Sequence, residues 1–262
     1  MPADIDAVID ALLNARRTHT VCDAVPLSRA VLTTDDAYLV QDAVANELGW
    51  FGDGVATHWK SGGASRDADM THAPLPPAGA WAGTGDARAG PTPPPMHHRL
   101  IEAEVALRLG CDVDAALAEM LDVDGARALV DAMAVSIELV DSRWQQGFAA
   151  PALLRLADLQ SHGALVLGGW LPCAPLSSAH DWSAQRCEVQ IGDRRTKHIG
   201  THSCGDPAWV LPSWLRHATR DGGVLRAGSV VTTGTWCGVL KAQAGDAVTV
   251  RFEGIGQARV QF

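Results

Sequence analysis

The stretch from 99 to 110 constrains the fold more than any other part of this sequence. Apolar residues share one parity within it: Ile101, Val105, Leu107 and Leu109. Charged residues share the other parity: Glu102, Glu104 and Arg108. A period of two predicts a β-strand with one apolar and one polar face. Both glutamates therefore point the same way, with a spacing of roughly 6.5–7 Å.

Two carboxylates this close on a half-buried strand face repel each other unless a cation or a basic group lies between them. Glu-x-Glu on the solvent face of an antiparallel strand is common, so a plain surface is the alternative. A third acid favours a cation, because Glu138 interrupts an apolar run within 134–144 and a charge there is rarely buried without a partner. Three carboxylates plus waters would form an octahedral oxygen site, which suits Mg²⁺ or Mn²⁺.

Composition narrows the class of protein. At 262 residues, 47% of them apolar and 19% charged, the chain is long enough for one large domain or for a small N-terminal domain packed on a larger one. The net charge of −9 argues against nucleic acid and anionic membranes as partners. The six cysteines form no C-x-x-C pair and the N-terminus lacks a basic-then-apolar segment. These features predict a cytoplasmic protein with reduced thiols.

The N-terminal part predicts a small cap of two helices. Apolar positions recur with helical spacing over about 3–17. Thr34-Asp35-Asp36 is typical of an N-cap followed by acids in the first turn. The helix that it opens is predicted to end near 48, with Gly49 as its stop.

A short strand within 54–59 is predicted to lead into a glycine-containing turn, and Lys60 lies where the two meet. A lysine there is most often solvated, which is the alternative to a catalytic role. Residues 73–95 are rich in Pro, Gly and Ala, which predicts an ordered loop or irregular short strands. Such a loop directly before the 99–110 strand is suited to cover an active site.

Predicted strands dominate the rest of the chain. Helical or turn segments are expected at 112–121 and 123–134, ahead of a strand that begins at Val135. Asp206-Pro207 predicts the N-cap of a helix that reaches about 222. The remaining strands are expected at 164–168, 187–191, 229–233, 247–252 and 258–262.

In this order, the motifs resemble one family. The resemblance covers nearly the whole chain and is carried by Lys60 in its strand-to-glycine turn, Glu102-Ala103-Glu104, Glu138-Leu139-Val140-Asp141-Ser142-Arg143, Gly205-Asp206-Pro207, the segment 225–235 and Gly245-Asp246. The chain resembles the 2-hydroxypentadienoate hydratase and 4-oxalocrotonate decarboxylase group of the fumarylacetoacetate hydrolase superfamily.

The resemblance implies an α+β fold, a mixed β-roll with flanking helices. Its expected units are an N-terminal helical cap at 1–55 and a catalytic domain at 56–262. It also implies Mg²⁺ or Mn²⁺ at Glu102, Glu104 and Glu138. The implied substrate is a short 2-oxo or 2-hydroxy-dienoic acid, whose 1-carboxylate and 2-oxygen can chelate one ion. A homo-oligomer is expected, with a paralogous hydratase or decarboxylase subunit as an additional partner.

Further roles are predicted for individual residues. Lys60 would stabilise developing negative charge or shuttle a proton, and Asp158 and His162 are the other catalytic candidates. Ser65, Thr233 and Thr235 are candidates for substrate binding, although a strand-end threonine is more often structural. An ion pair between Asp141 and Arg143 is expected to support Glu138.

The chain departs from the family pattern beside one of these candidates. Where the family usually shows Ala-Asp-Asn, this sequence has Ala157-Asp158-Leu159. The leading hypothesis is a hydratase. A decarboxylase or C–C bond hydrolase on the same scaffold and a non-catalytic partner subunit remain open as alternatives. Substitution of Lys60 would separate an enzyme, which loses turnover, from a structural subunit, which loses nothing measurable.

Overall fold

The computed structural model describes residues 4–52, 54–82, 93, 95–173 and 180–262. The α-helices are α1 Ile5–Thr18, α2 Thr34–Glu47, α3 Ala115–Met120, α4 Val123–Arg127, α5 Ala152–Ala157 and α6 Leu211–Ala218. The strands are β1 His58–Gly62, β2 Thr71–Pro74, β3 Ala80–Ala82, β4 Leu100–Leu109, β5 Val130–Val140, β6 His162–Leu167, β7 Leu171–Pro172, β8 Arg186–Ile191, β9 Arg194–Ile199, β10 Val230–Thr232, β11 Leu240–Lys241, β12 Ala247–Phe252 and β13 Gly256–Gln261.

Two sheets organise the described part of the chain. In the nine-stranded sheet the order is β2-β1-β10-β4-β5-β6-β3, while β11 pairs with β4 and β7 pairs with β5. The pairs β1–β10 and β3–β6 are parallel, whereas β4 pairs antiparallel with both β5 and β10. The smaller sheet has the order β13-β12-β8-β9. The predicted α+β class with a mixed sheet is confirmed.

The apolar parity of β4 explains where the main core lies. Ile101, Val105 and Leu107 are at most 1% exposed and join one cluster with Trp214 of α6 and Val250 of β12. The opposite face of the larger sheet is also covered, because Ala106 and Leu165 are buried in a second cluster. The polar face of β4 is therefore largely withdrawn from solvent.

The two N-terminal helices form the predicted cap. Their cluster includes Leu12 of α1 and Val40 of α2, and it also takes in Leu154 of α5 and Trp144. The cap thus shares its core with segments far along the chain, and the boundary between 1–55 and 56–262 stays a prediction. Of the helices within the described ranges, none is both long and apolar enough to cross a membrane.

Several element bounds differ from those predicted. Strand β5 begins at Val130 rather than Val135, because its antiparallel pairing with β4 extends back to Leu109. Thr33, not Thr34, is the N-cap of α2. In its capping box the Thr33 side chain accepts the Asp36 N–H, and the Asp36 side chain accepts the Thr33 N–H. The unpredicted strand β9 is almost wholly polar and exposed, so it carries no apolar period. Within the predicted proline-rich cover, 73–95, residues 83–92 and 94 lie outside the described residues.

Candidate metal centre

Strand register brings the three predicted carboxylates together. Glu102 on β4 lies directly opposite Glu138 on β5, and Glu104 lies opposite Ser136. Directly paired residues share one face of a sheet, so all three glutamates point to the same side. One carboxylate oxygen from each lies within 4.8 Å of the others. That spacing suits oxygen ligands around one hard divalent cation.

Burial makes this cluster costly without a cation. Glu104 and Glu138 are 2% and 0% exposed. Burial, together with the charges of the neighbouring carboxylates, raises the pKa of Glu102 to about 8 and that of Glu104 to about 7. The negative charge in this cluster therefore exceeds what the surrounding protein compensates.

Glu138 is held from one side only. Its Oε1 accepts hydrogen bonds from Lys60 Nζ at 2.5 Å and from His162 Nδ1 at 3.0 Å. Burial opposes its ionisation, but Lys60 and His162 outweigh burial and lower the pKa of Glu138. Its Oε2 is buried without a hydrogen-bond partner among the described residues. An orphaned carboxylate oxygen beside two further carboxylates fits a metal ligand.

Glu104 is oriented by a residue that the sequence analysis missed. The hydroxyl of Thr232 donates to Glu104 Oε2 and lies 2.9 Å from Ser136 Oγ. The backbone N–H of Gly234 donates to the same carboxylate oxygen at 3.2 Å, from a residue with φ of +106° that only glycine adopts readily. No signal in the sequence identifies Thr232, because its place beside Glu104 depends on its pairing with Ala106, which shares the parity of Glu104.

The predicted substrate-binding residues lie in different places. Thr233 faces away from the cluster, and its buried hydroxyl donates to Val105 O at 2.7 Å. Thr235 lines the cleft above the carboxylates, and its hydroxyl donates to Gly238 O at 3.0 Å. Ser65 is not among the described lining residues and accepts the Asp67 N–H at 3.3 Å.

Lys60 joins the cluster from the neighbouring strand. It pairs with Thr232 in the parallel register of β1 and β10, which turns its side chain to the face of the glutamates. Burial disfavours the ammonium form, but the three carboxylates outweigh burial and raise the pKa of Lys60. Its Nζ also donates to Gln160 O at 3.3 Å. Lys60 is therefore a fixed cation at the edge of the site.

Leu159, Gln160 and Ser161 form an unusual backbone segment next to Lys60. Their φ values are 53°, 54° and 60°, all in the left-handed region that non-glycine residues rarely occupy. Leu159 is 1% exposed. Strain of this kind clusters at functional sites, and here it presents the Gln160 carbonyl to Lys60.

The structure does not place Asp158 at the cleft. Its carboxylate is fully buried and accepts hydrogen bonds from Arg143 Nε at 2.6 Å and Arg16 Nη2 at 3.0 Å. The predicted pair of Asp141 with Arg143 is wrong, because Asp141 instead accepts the backbone N–H groups of His97 and His98. Arg143 instead donates hydrogen bonds to Asp158 from both its guanidinium and its backbone N–H. This placement supports a structural role for Asp158.

His162 lies behind the carboxylates and is 1% exposed. Burial lowers its pKa, and a neutral ring beside a carboxylate carries its proton on Nδ1, which donates to Glu138. Its Nε2 is buried without a partner in the described part of the chain. His162 is absent from the described lining of the cleft, so the geometry favours positioning of Glu138 over contact with substrate.

The cleft over the cluster has a volume of about 630 Å³. Glu102, Glu104 and Lys60 line one part of it, and Gly234 and Thr235 lie beside them. Another part of the lining is an apolar wall with one cation: Phe148, Ala152, Leu153, Leu156 and Arg155.

A protein-family model matches most of this chain. The model of the fumarylacetoacetate (FAA) hydrolase C-terminal domain matches residues 51–262. The chain belongs to the fumarylacetoacetate hydrolase family. The predicted fold of that type is thereby confirmed.

Curated members of the family share moderate identity with the chain. A 2-keto-4-pentenoate hydratase of Paraburkholderia phymatum is 31% identical over 172 residues, which cover 62% of this chain and 60% of the relative. A 4-oxalocrotonate decarboxylase of a Pseudomonas species is 26% identical over 163 residues, 61% of this chain and 59% of the relative. The matched region thus spans about three fifths of the length of these relatives.

Solved structures show the same fold. The 4-oxalocrotonate decarboxylase from Pseudomonas putida G7, complexed with calcium and acetate, superposes with a TM-score of 0.79 at 18% identity, covering 99% of this chain and 97% of that one. The fumarylpyruvate hydrolase from Pseudomonas aeruginosa in complex with Mn²⁺ and pyruvate has a TM-score of 0.54 at 14% identity, covering 78% and 90% of the two chains.

Proposed function

We propose that this chain is a metal-dependent hydratase that adds water to a short 2-hydroxy-dienoate or 2-oxo-enoate, as in the catabolism of aromatic compounds after ring cleavage. The observation that carries the proposal is the buried cluster of Glu102, Glu104 and Glu138 beside Lys60, with one oxygen of each carboxylate within 4.8 Å of the others. The names of the curated relatives support this choice of reaction.

Mg²⁺ or Mn²⁺ would be held by these glutamates, and when bound it supplies a Lewis acid that stabilises negative charge on the 2-oxygen of the substrate. The orphaned Oε2 of Glu138 fits such a ligand set, as does the uncompensated negative charge that, with burial, raises the pKa values of Glu102 and Glu104. Complexes of structural neighbours with magnesium, calcium and Mn²⁺ support the same class of ion.

Lys60 holds a proton at Nζ next to the reacting end of the cleft. Its ammonium group would stabilise negative charge as it develops on the substrate, or return a proton to the substrate. His162 would keep Glu138 in place through the Nδ1 hydrogen bond, and Thr232 would do the same for Glu104. Thr235 lines the cleft and remains a candidate contact for substrate, whereas Ser65 and Thr233 have less support from their positions.

Decarboxylation is the second candidate reaction. The 4-oxalocrotonate decarboxylase relative is the observation that favours it, since loss of CO₂ from a vinylogous keto acid needs the same stabilisation of charge at the 2-oxygen. Both reactions need the same ligand set, so they would diverge in the residues around it.

The test is an assay with enzymatically generated 2-hydroxypenta-2,4-dienoate in the presence of Mg²⁺, Mn²⁺ or EDTA. Loss of dienol absorbance that requires metal and yields a product heavier by one water supports the hydratase. The decarboxylase alternative is tested in parallel with 4-oxalocrotonate, for which CO₂ release without hydration would favour it. Absence of metal binding would refute both and leave a non-catalytic partner subunit.

Two substitutions sharpen this assay. Glu102→Gln should abolish tight metal binding, whereas Glu119→Gln, at an exposed glutamate on α3, should leave binding and turnover unchanged. Lys60→Met should remove turnover while metal is still bound. Full turnover in Lys60→Met would contradict the proposed role of the ammonium group.

We also propose a homo-oligomer in the cytoplasm, to which a paralogous hydratase or decarboxylase subunit could bind. The support for a reducing compartment is that all six cysteines are free thiols. Light scattering of the purified chain, alone and mixed with a paralogous subunit, tests the assembly, and a monomer at micromolar concentration would contradict it.

A further inference from the structure

A second cavity, with a volume of about 390 Å³, lies between the N-terminal cap and the larger sheet. The ends of α1 and α2 line one side of it, and the segment before β3 and the start of β6 line another. Among the described residues, none lines both this cavity and the cleft over the carboxylates. We call this separate space the cap pocket.

Two arginines that line the cap pocket share one carboxylate. Arg16 Nη2 donates to Asp158 Oδ1 at 3.0 Å, and Arg143 Nε donates to the same oxygen at 2.6 Å. The arginine side chains are 13% and 10% exposed. Within the described ranges, neither Nη1 has a hydrogen-bond partner, and Arg16 Nε is buried without one. Asp158 therefore leaves donors of both guanidinium groups unused.

Positive charge exceeds negative charge around these arginines. Arg17 lines the same pocket, and its pair with Glu47 is exposed and long, at 3.9 Å. Burial and the charge of Arg143 together outweigh Asp158 and lower the pKa of Arg16 to about 9. A further anion near Arg16 would therefore stabilise its charged form.

Two features of the cap pocket oppose an anion. The Asp141 carboxylate lines it, but Asp141 Oδ1 accepts the backbone N–H groups of His97 and His98 at 3.0 and 2.8 Å. The last turns of α1 and α2 reach the pocket with the negative ends of their dipoles. The backbone N–H groups of Thr20 and Trp50 donate to carbonyl oxygens of these turns. Both negative features are thus partly neutralised, whereas the unused donors of the two arginines are not.

Flat and apolar side chains form the rest of the wall. The Arg16 guanidinium lies 5.0 Å from the ring centre of Trp50, so one of its faces is stacked and its edge is left for a ligand. Trp81 and Met96 also line the pocket. The volume lies within the range of roughly 300–1,000 Å³ that is typical of small-molecule sites.

From this arrangement we infer that the cap pocket is a binding site for a small aromatic carboxylate. The carboxylate accepts hydrogen bonds from the terminal nitrogens of Arg16 and Arg143, because planar guanidinium groups match its two oxygens. The ring packs beside Trp50 and Trp81, since aromatic rings pack favourably against one another. The site requires no metal and does not depend on the proposed function.

Calorimetry with three probes tests this site on the wild-type chain freed of metal by dialysis. Benzoate carries both the ring and the charge, benzamide has the same shape without the charge, and acetate has the charge without the ring. Benzoate should bind about 10- to 100-fold more tightly than benzamide, the range expected for hydrogen bonds to a charged group. It should also bind more tightly than acetate. Equal affinities for benzoate and benzamide would overturn the role of the arginines, and equal affinities for benzoate and acetate would overturn the role of the ring.

An exposed position tests the charge of the pocket without disturbing the core. Thr20 lines the pocket and is exposed. Thr20→Glu should weaken benzoate about 3- to 10-fold and leave benzamide unchanged, because the added carboxylate repels the ligand. Thr20→Gln has nearly the same size without the charge and should keep the wild-type affinity for benzoate. Equal benzoate affinities of these two variants would contradict binding in the cap pocket.

Arg16→Met tests the donor itself. Asp158 keeps its pair with Arg143 in this variant, and a Tm measurement checks that the chain is folded. The preference for benzoate over benzamide should be lost. Arg155→Met is the matched control, because Arg155 is a half-buried cation of the cleft over the carboxylates, and it should keep the full preference. Loss of the preference in Arg155→Met but not in Arg16→Met would locate the ligand in that cleft and overturn the inference.

Discussion

Asp158→Asn tests whether Asp158 is a structural residue or a catalytic one. The carboxylate is 0% exposed and lies between Arg143, which follows β5, and Arg16 at the end of α1. The substitution keeps the shape of the side chain and removes its charge. Both arginines, with side chains 10% and 13% exposed, would then share one buried site without a counter-charge.

The magnitude follows from that burial. Removing one partner of a buried ion pair costs about 3–5 kcal/mol, because the remaining charge is left uncompensated. The two pairs share one carboxylate, so the costs are not simply added. For a chain of this size, roughly 2–4 °C of Tm corresponds to each kcal/mol, so we expect Tm to fall by about 6–20 °C.

Calorimetry and urea unfolding of the wild-type and variant chains measure this loss. Asp131→Asn is the matched control, because Asp131 pairs with Arg108 at 2.8 Å but with side chains 44% and 32% exposed. An exposed pair contributes about 0–1 kcal/mol, so the control should shift Tm by no more than about 4 °C. Below its transition, Asp158→Asn should keep most of its turnover. An unchanged Tm with a loss of turnover above about 100-fold would refute the structural role, since removing a general acid or base causes a loss of that size.

Other predictions concern the metal centre. Thr232→Val should weaken Mg²⁺ binding by about 10- to 100-fold, because the Glu104 carboxylate loses its hydroxyl donor. The control Thr233→Val should cost about 1 kcal/mol of stability and leave Mg²⁺ affinity unchanged. Calorimetry measures both, and equal Mg²⁺ affinities of Thr232→Val and the wild-type chain would contradict the role of Thr232. The pKa values of the two β4 glutamates, raised to about 8 and about 7, mean that both hold protons at lower pH, so Mg²⁺ should release about one to two protons at pH 6.5 and bind less tightly as pH falls. Calorimetry in buffers of different ionisation enthalpy counts these protons, and zero release would oppose the assignment. Gly234→Ala should lower stability by about 1–3 kcal/mol because φ is +106°, while Gly169→Ala, in open space, should not; equal Tm values would show that the backbone relaxes.

Local sequence was sufficient for the features that depend on period and capping. The alternation around Glu102 and Glu104 placed both carboxylates on one face of β4, because side chains on a strand alternate with a period of two. The acids after Thr33 and the left-handed Gly49 set the ends of α2 to within one residue. These features need only neighbours along the chain.

The partners of each charge depended on contacts between distant segments. Register between β4 and β5 placed Glu138 opposite Glu102, and the parallel pairing of β1 with β10 brought Thr232 and Lys60 to the same face. The alternation along this segment turns Thr233, a predicted substrate-binding residue, away from the carboxylates.

The sequence by itself determined which residues could bear the chemistry of this protein, while the tertiary structure decided which of them meet. Asp158 is of a residue type that can act as a catalytic acid, but in the structure it pairs with Arg16 and Arg143. These arginines lie 142 and 15 positions before it along the chain. Arg155 gave no signal in the sequence, and only the packing of α5 against α2 brings it to the cleft. The physical reason is that electrostatic energy depends on distance and burial in space, and neither is encoded by spacing along the chain.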